Sequence, residues 1–112
     1  VAAQSVGAIP VPLYQDAVAE EMAYVIEHCS ARFIVAQDQE QVDKIIDVKE
    51  ELSGVEQIIF LDPRGMRKYE RSLLTEYSVL QAQGRESEAK LRPELDKRLA
   101  AQSGADTCAM LY

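Results

Sequence analysis

Tryptophan is absent, histidine occurs once, and only two cysteines and five glycines are found among 112 residues. Cys29 and Cys108 are too few for a disulfide framework and lack the paired spacing of a zinc site, so both are expected to be reduced. The glycines stand singly, and no Gly-rich phosphate loop can be assembled from them. Basic residues are also in deficit. Twelve Lys+Arg against nineteen Asp+Glu leave a net charge of −7, which repels nucleic-acid phosphates and anionic lipid alike and disfavours a general nucleic-acid binder. No apolar run approaches the ~18 residues that a membrane span requires, and no basic leader precedes an apolar segment. A soluble, cytoplasmic protein is the expectation.

What the chain does have is a core. Hydrophobic residues make up 47% of it. A folded chain of this length buries roughly 65% of its unfolded surface, so one α/β domain, or part of one, is within reach. Val1 to Val6, running into Gly7, reads as the tail of a helix whose beginning is missing. Ala8 to Leu13 (AIPVPL) alternates Ile9, Val11 and Leu13 with two prolines and predicts a first strand, at a sheet edge or poorly paired on the proline side. Asp16 is the candidate cap of a helix over Ala17 to His28, with Val18, Met22, Val25, Ile26 and Cys29 on one stripe. Glu20 and Glu21 complement its positive end; adjacent on a helix, they diverge by about 100° and cannot act as a catalytic carboxylate pair.

Arg32 to Ala36 centres on Phe33-Ile34-Val35, an uninterrupted apolar run of the kind buried on both faces of a parallel sheet. Asp38 with Gln41 predicts a capping box, and Val42, Ile45, Ile46 and Leu52 mark a second helix ending at Ser53-Gly54. Val55 to Leu61 is a third strand. Asp62-Pro63-Arg64-Gly65 then has turn chemistry, and the alternation stops. Thr75 is a candidate cap for a short helix ended by Gly84, Pro93 suits the first turn of a helix through about Ala101, and Ser103 to Asp106 turn into a final buried strand, Thr107 to Tyr112. The fold expected is α/β: a parallel, flavodoxin- or Rossmann-like β-α-β-α-β unit plus a helical segment and a last strand. Neither end carries a stop signal, and the apolar strand at the carboxyl end predicts a piece of a larger domain.

The run GAIPVPLYQDAVAEEMAYVIEHCSARFIVAQDQEQVDKI (Gly7 to Ile45), VEQIIFLDPRGMRKY (Val55 to Tyr69) and the closing ADTCAMLY together resemble the long-chain acyl-CoA synthetases, or fatty acid–CoA ligases, of the adenylate-forming, AMP-binding superfamily. A Pro-containing VPLY strand before a helix with an EE-x-x-Y pattern, here Glu20, Glu21 and Tyr24, is part of that likeness, as is an aspartate-aliphatic-Tyr strand, here Asp106 to Tyr112. The likeness is weakest from Ser72 to Gln102. It implies ATP- and Mg²⁺-dependent activation of a fatty acid to an acyl-adenylate, then acyl transfer to CoA. It also implies that the phosphate loop, the adenine and ribose contacts and the lid with its catalytic Lys all follow Tyr112. On that basis the chain is an incomplete N-terminal segment of an AMP-binding domain, residues 1–112, inactive alone, with no catalytic or metal residue of its own.

Individual candidates are weighed against plainer roles. Tyr112 flanks the expected phosphate loop and could edge a cofactor site, and Tyr14 sits similarly after the first strand. His28 lies at a helix C-terminus, where an imidazolium is favoured without any catalytic duty. Cys29 and Cys108 lack a histidine partner and are expected to pack in the interior. Arg64, Arg67, Lys68 and Arg71 could dock a phosphate-bearing ligand such as CoA, but Glu70 dilutes the cluster and a solvated loop is the reading. A reading from another class is a free-standing flavodoxin-like or receiver-like module that docks a protein, with Asp62 in the phosphoacceptor position. Against it, only Asp16 follows the first strand, and Pro63 crowds Asp62.

Overall fold

The computed structural model describes residues 1–112 and contains two compact units, Tyr14–Ala82 and, separately, Val1–Leu13 with Gln83–Tyr112. The first unit holds the sheet. Helix α2 (Ala19–His28), strand β1 (Phe33–Ala36), helix α3 (Gln39–Asp47), a 3-10 turn (Lys49–Glu51) and strand β2 (Gln57–Phe60) follow the expected alternation. Strand β3 (Leu74–Glu76) completes a three-stranded parallel sheet in the order β1-β2-β3, with Val35 opposite Ile59 and Ile59 opposite Thr75. The α/β class and the parallel pairing expected from the alternation are present; β3 is an addition to it.

Period-2 geometry sends alternate side chains to opposite faces, and here one face takes the core. Ile34, Ala36, Ile58, Phe60 and Leu74 are buried together with Met22, Ala23 and Ile26 of α2, Val42 and Ile45 of α3, and Val48, Leu52 and Met66. The opposite face is open: Phe33 and Val35 are 57% and 65% exposed. The expectation that Phe33-Ile34-Val35 is buried on both faces is therefore corrected, because both packed helices lie on the Ile34 side. Composition alone cannot say how many layers cover a strand.

Helix starts follow local chemistry only in part. Asp38 caps α3 as expected, its carboxylate accepting from the Gln41 amide at 3.2 Å. The reciprocal half of the box is missing, since the Gln41 carboxamide donates to the Gln15 carbonyl instead. Removing the cap leaves the Gln41 amide without its side-chain acceptor, so Asp38→Ala is expected to lower stability by about 1 kcal/mol, read as a shift of the urea midpoint. Asp16 does not cap α2. The Ala17 amide closes a turn on Tyr14, so the helix begins later, with Val18 at the cap position and no side-chain bond. The helix expected to run to Ser53-Gly54 ends at Asp47 and passes into the 3-10 turn.

In the second unit, α1 (Ala2–Ser5) runs into Gly7 at φ +81°, and α5 (Glu88–Ala101) lies against α1. The Gln102 carboxamide donates to the carbonyls of Gln4 and Ser5 at 2.8 and 3.1 Å. Five further expectations fail, here and in the segment leading in from β3. Ala8–Leu13 is not a strand: the Ala8 amide closes a turn on the Ala3 carbonyl at 3.0 Å, Pro10 and Pro12 have no N–H, and Pro10 only accepts, from the Met110 amide at 3.1 Å. Thr107–Tyr112 is not a buried strand, because it has no β partner, and its residues are exposed apart from half-buried Met110. Helix α4 (Tyr77–Glu86) runs through Gly84, which stops a helix only in a left-handed conformation that it does not adopt. Thr75 belongs to β3 rather than capping α4, and Pro93 lies inside α5 rather than at its start. The turn expected at Ser103–Asp106 is present, closed by the Asp106 amide on the Ser103 carbonyl and by the Asp106 carboxylate on the Ser103 amide.

Candidate functional site

Open parallel sheets gather ligands beyond the carboxyl ends of their strands, where loops and helix N-termini converge. Beyond β1 and β2 the pairing continues into the loops, with the Leu61 amide on the Ala36 carbonyl at 3.1 Å and the Asp62 amide on the Gln37 carbonyl at 2.8 Å. This holds the Asp62–Gly65 turn beside the Gln37-Asp38 entry to α3. The chain before α2 is tied to the same place, since Lys44 Nζ donates to the Gln15 carbonyl at 2.7 Å and pairs with Glu40 at 3.2 Å. Gln15, Asp16, Gln37, Asp38, Glu40 and Gln41 line a polar cavity of about 150 Å³ at this end of the sheet.

The cavity does not fit a nucleotide. Ligand pockets usually enclose roughly 300–1,000 Å³, and this one is lined by three carboxylates that oppose a triphosphate. The nearby cation, Lys44, is already engaged by Glu40 and the Gln15 carbonyl. No three His, Cys, Asp or Glu side chains converge as a metal-holding group. The lining of this cavity thus offers no phosphate cradle, and no step of an ATP reaction is assigned to it.

The basic residues after β2 differ in their partners. Arg64 forms a bidentate pair with Asp62, its Nε at 2.9 and 2.8 Å from the two carboxylate oxygens, and Asp62 also accepts from the Arg64 amide at 3.0 Å. These bonds hold the Asp62 carboxyl below its usual pKa and the Arg64 guanidinium above its own. A carboxylate committed in this way is a turn lock rather than a free phosphoacceptor. Arg71 donates to the Met66 carbonyl at 3.2 Å and lies 5.0 Å from the centre of the Phe60 ring. Arg67 and Lys68 are exposed, so two of the four cations are committed to local partners and two face solvent.

None of the other candidates lines the cavity. His28 ends α2 and stacks on Tyr24, ring centres 5.6 Å apart. Glu20 and Glu21 occupy the exposed first turn of that helix. Cys29 is half-buried, its thiol donating to the Ile26 carbonyl at 3.5 Å. Cys108 is exposed, a correction to the packing expected of it, because its segment joins no sheet. Tyr14 is largely exposed, and Tyr112 is 49% exposed.

One cluster had no signal in the sequence. The Tyr69 hydroxyl donates to Asp43 Oδ1 at 2.5 Å and accepts from the Gln39 carboxamide at 2.7 Å, joining the segment after β2 to α3. The Asp43 carboxylate, by accepting the phenolic proton, raises the Tyr69 pKa, and the Gln39 donation works against it. Gln39 and Asp43 are one helical turn apart, and only that spacing hints at a shared partner.

No curated protein and no solved structure matches the chain. A family model does: that of the AMP-binding enzymes matches residues 1–112. With a parallel α/β sheet in the first unit and a family match that spans every residue, the chain belongs to the AMP-binding enzyme family, the adenylate-forming superfamily.

Proposed function

We propose that the chain is the N-terminal α/β segment of the AMP-binding domain of a long-chain fatty acid–CoA ligase. The parent couples ATP cleavage to formation of an acyl-adenylate and pyrophosphate, then passes the acyl group to CoA with release of AMP; its working place is the cytoplasm. The segment's own part is architectural: it supplies strands and crossover helices of the sheet on which nucleotide and acyl sites are assembled, and is inactive alone. The observation that carries this reading is the ordered run from Gly7 to Tyr69, with its VPLY stretch, its Glu20-Glu21-Tyr24 helix and its IIFLDPRG turn. The family match and the parallel pairing of β1 with β2 support it, and no helix is long and apolar enough to cross a membrane.

The test is made on the intact parent with ATP, Mg²⁺ and palmitate, following pyrophosphate release and then palmitoyl-CoA. Palmitate-dependent adenylate formation is expected, with acetate and amino acids at least about tenfold poorer in kcat/KM, a difference of ~1.4 kcal/mol in transition-state binding. Adenylation of a short or aromatic carboxylate in preference to palmitate overturns the fatty-acid assignment while leaving family membership intact.

A further inference from the structure

Between Asp62 and Leu74 the chain leaves the carboxyl end of β2 and returns as β3 without a helix or strand of its own. Up to Ser72 its backbone hydrogen bonds close locally, Met66 on Pro63 at 3.3 Å, Tyr69 on Met66 at 3.1 Å and Leu74 back on Arg71 at 3.3 Å; pairing with the sheet begins at Leu73, whose carbonyl accepts from the Ile58 amide at 2.7 Å. The Arg64 and Ser72 amides are taken by the nearby Asp62 and Glu70 carboxylates. Three side chains tie the segment to its surroundings. Met66 is fully buried in the core, Arg71 lies over the Phe60 ring, and Tyr69 bridges Gln39 and Asp43 of α3. Gly65 permits the close approach: its φ is +80°, and a Cβ there would overlap the Gln39 carboxamide.

We propose that residues 63–72 form a latched strap, with the Tyr69 phenol as the latch: the segment opens as a local unit, withdrawing Met66 from the core, while the sheet and α3 stay folded. A stretch whose backbone makes no bond to β1 or β2 can leave without breaking their ladder, so its opening is governed by its few side-chain ties. The latch also has a listener. Gln39 stands between Asp38, which caps α3, and Glu40, and both of these line the polar cavity. Opening therefore frees the carboxamide that holds the first turn of α3 to the strap. The device needs no substrate and stands apart from the ligase reading.

Amide hydrogen exchange on the intact protein, read by mass spectrometry over peptides covering 63–72 and 55–61, tests it. Strap amides are expected to exchange faster than those of β2 and with a shallower urea dependence, because local opening exposes less surface than unfolding. Tyr69→Phe keeps the ring, loses both phenolic bonds and is expected to speed strap exchange about tenfold. Asp43→Asn, which keeps an acceptor, gives a smaller increase. Ile26→Val weakens the core from α2; because α2 and the sheet stay folded when the strap opens, it is expected to speed β2 exchange about fivefold and strap exchange less. The latch is overturned if strap and β2 share one urea slope, if Ile26→Val accelerates both alike, or if neither Tyr69→Phe nor Asp43→Asn alters the strap.

Discussion

Phe60→Ala is expected to lower the stability of the sheet-bearing unit by about 3–5 kcal/mol, the largest loss for any single truncation in the chain. Phe60 is the largest of the fully buried side chains, alongside Ile58, Met66 and Val42. It ends β2, so its ring lies where the sheet, the covering helices and the segment carrying Met66 meet in one apolar cluster. Truncation leaves a cavity whose walls are held by backbone pairing to both β1 and β3 and therefore cannot collapse onto it. The Arg71 guanidinium also loses the aromatic face beneath it. Since domains are stable by only about 5–15 kcal/mol, the variant should sit near its unfolding threshold at 25 °C. Urea denaturation followed by circular dichroism reads the effect. A loss below about 1 kcal/mol would mean that Phe60 does not occupy the centre of the core.

The second large effect is a contrast between neighbours. Ile34→Asp places a carboxylate in the core with no cation or donor assigned to it, and the unit is expected to lose about 3–5 kcal/mol or to fail to fold. Val35→Asp, one residue later and on the opposite face, is expected to cost about 1 kcal/mol or less in the 112-residue chain, mostly through lost β propensity. The contrast follows from burial: Ile34 is 7% exposed and Val35 65%. Matched urea midpoints for the two variants, against the unsubstituted chain, give the answer directly. Equal losses would show that both faces of β1 are covered.

These two expectations also show what patterning can and cannot convey. The Phe33-Ile34-Val35 run announces a strand without alternation, and hence without a dry side and a wet side. Which face is covered depends on where α2 and α3 pack. The apolar stripes carrying Met22, Ile26, Val42 and Ile45 are legible from residue spacing, but the side of the sheet they cover is not. The missing strand β3 has a related cause. Leu74-Thr75-Glu76 is too short to show a period, and it is a strand only because β2 offers it a free edge. Conversely, Ala8–Leu13 and Thr107–Tyr112 have strand-like composition and no β partner. The candidate site divides in the same way. The Asp38 cap and the Asp62–Gly65 turn could be foreseen from neighbouring residues, whereas the Tyr69 clasp joins positions 26 and 30 apart in the chain.

The amino-acid order alone determined the strand-helix-strand rhythm from Phe33 to Phe60, the cap of α3, the turn after β2 and the ligase-like motif run, because each is set by residues a few positions apart. Tertiary structure decided that a third strand joins the sheet, that one sheet face stays bare, and that Tyr69 reaches α3. Those outcomes need a backbone edge or a side chain brought from far along the chain, and spacing between neighbours holds no information about such meetings.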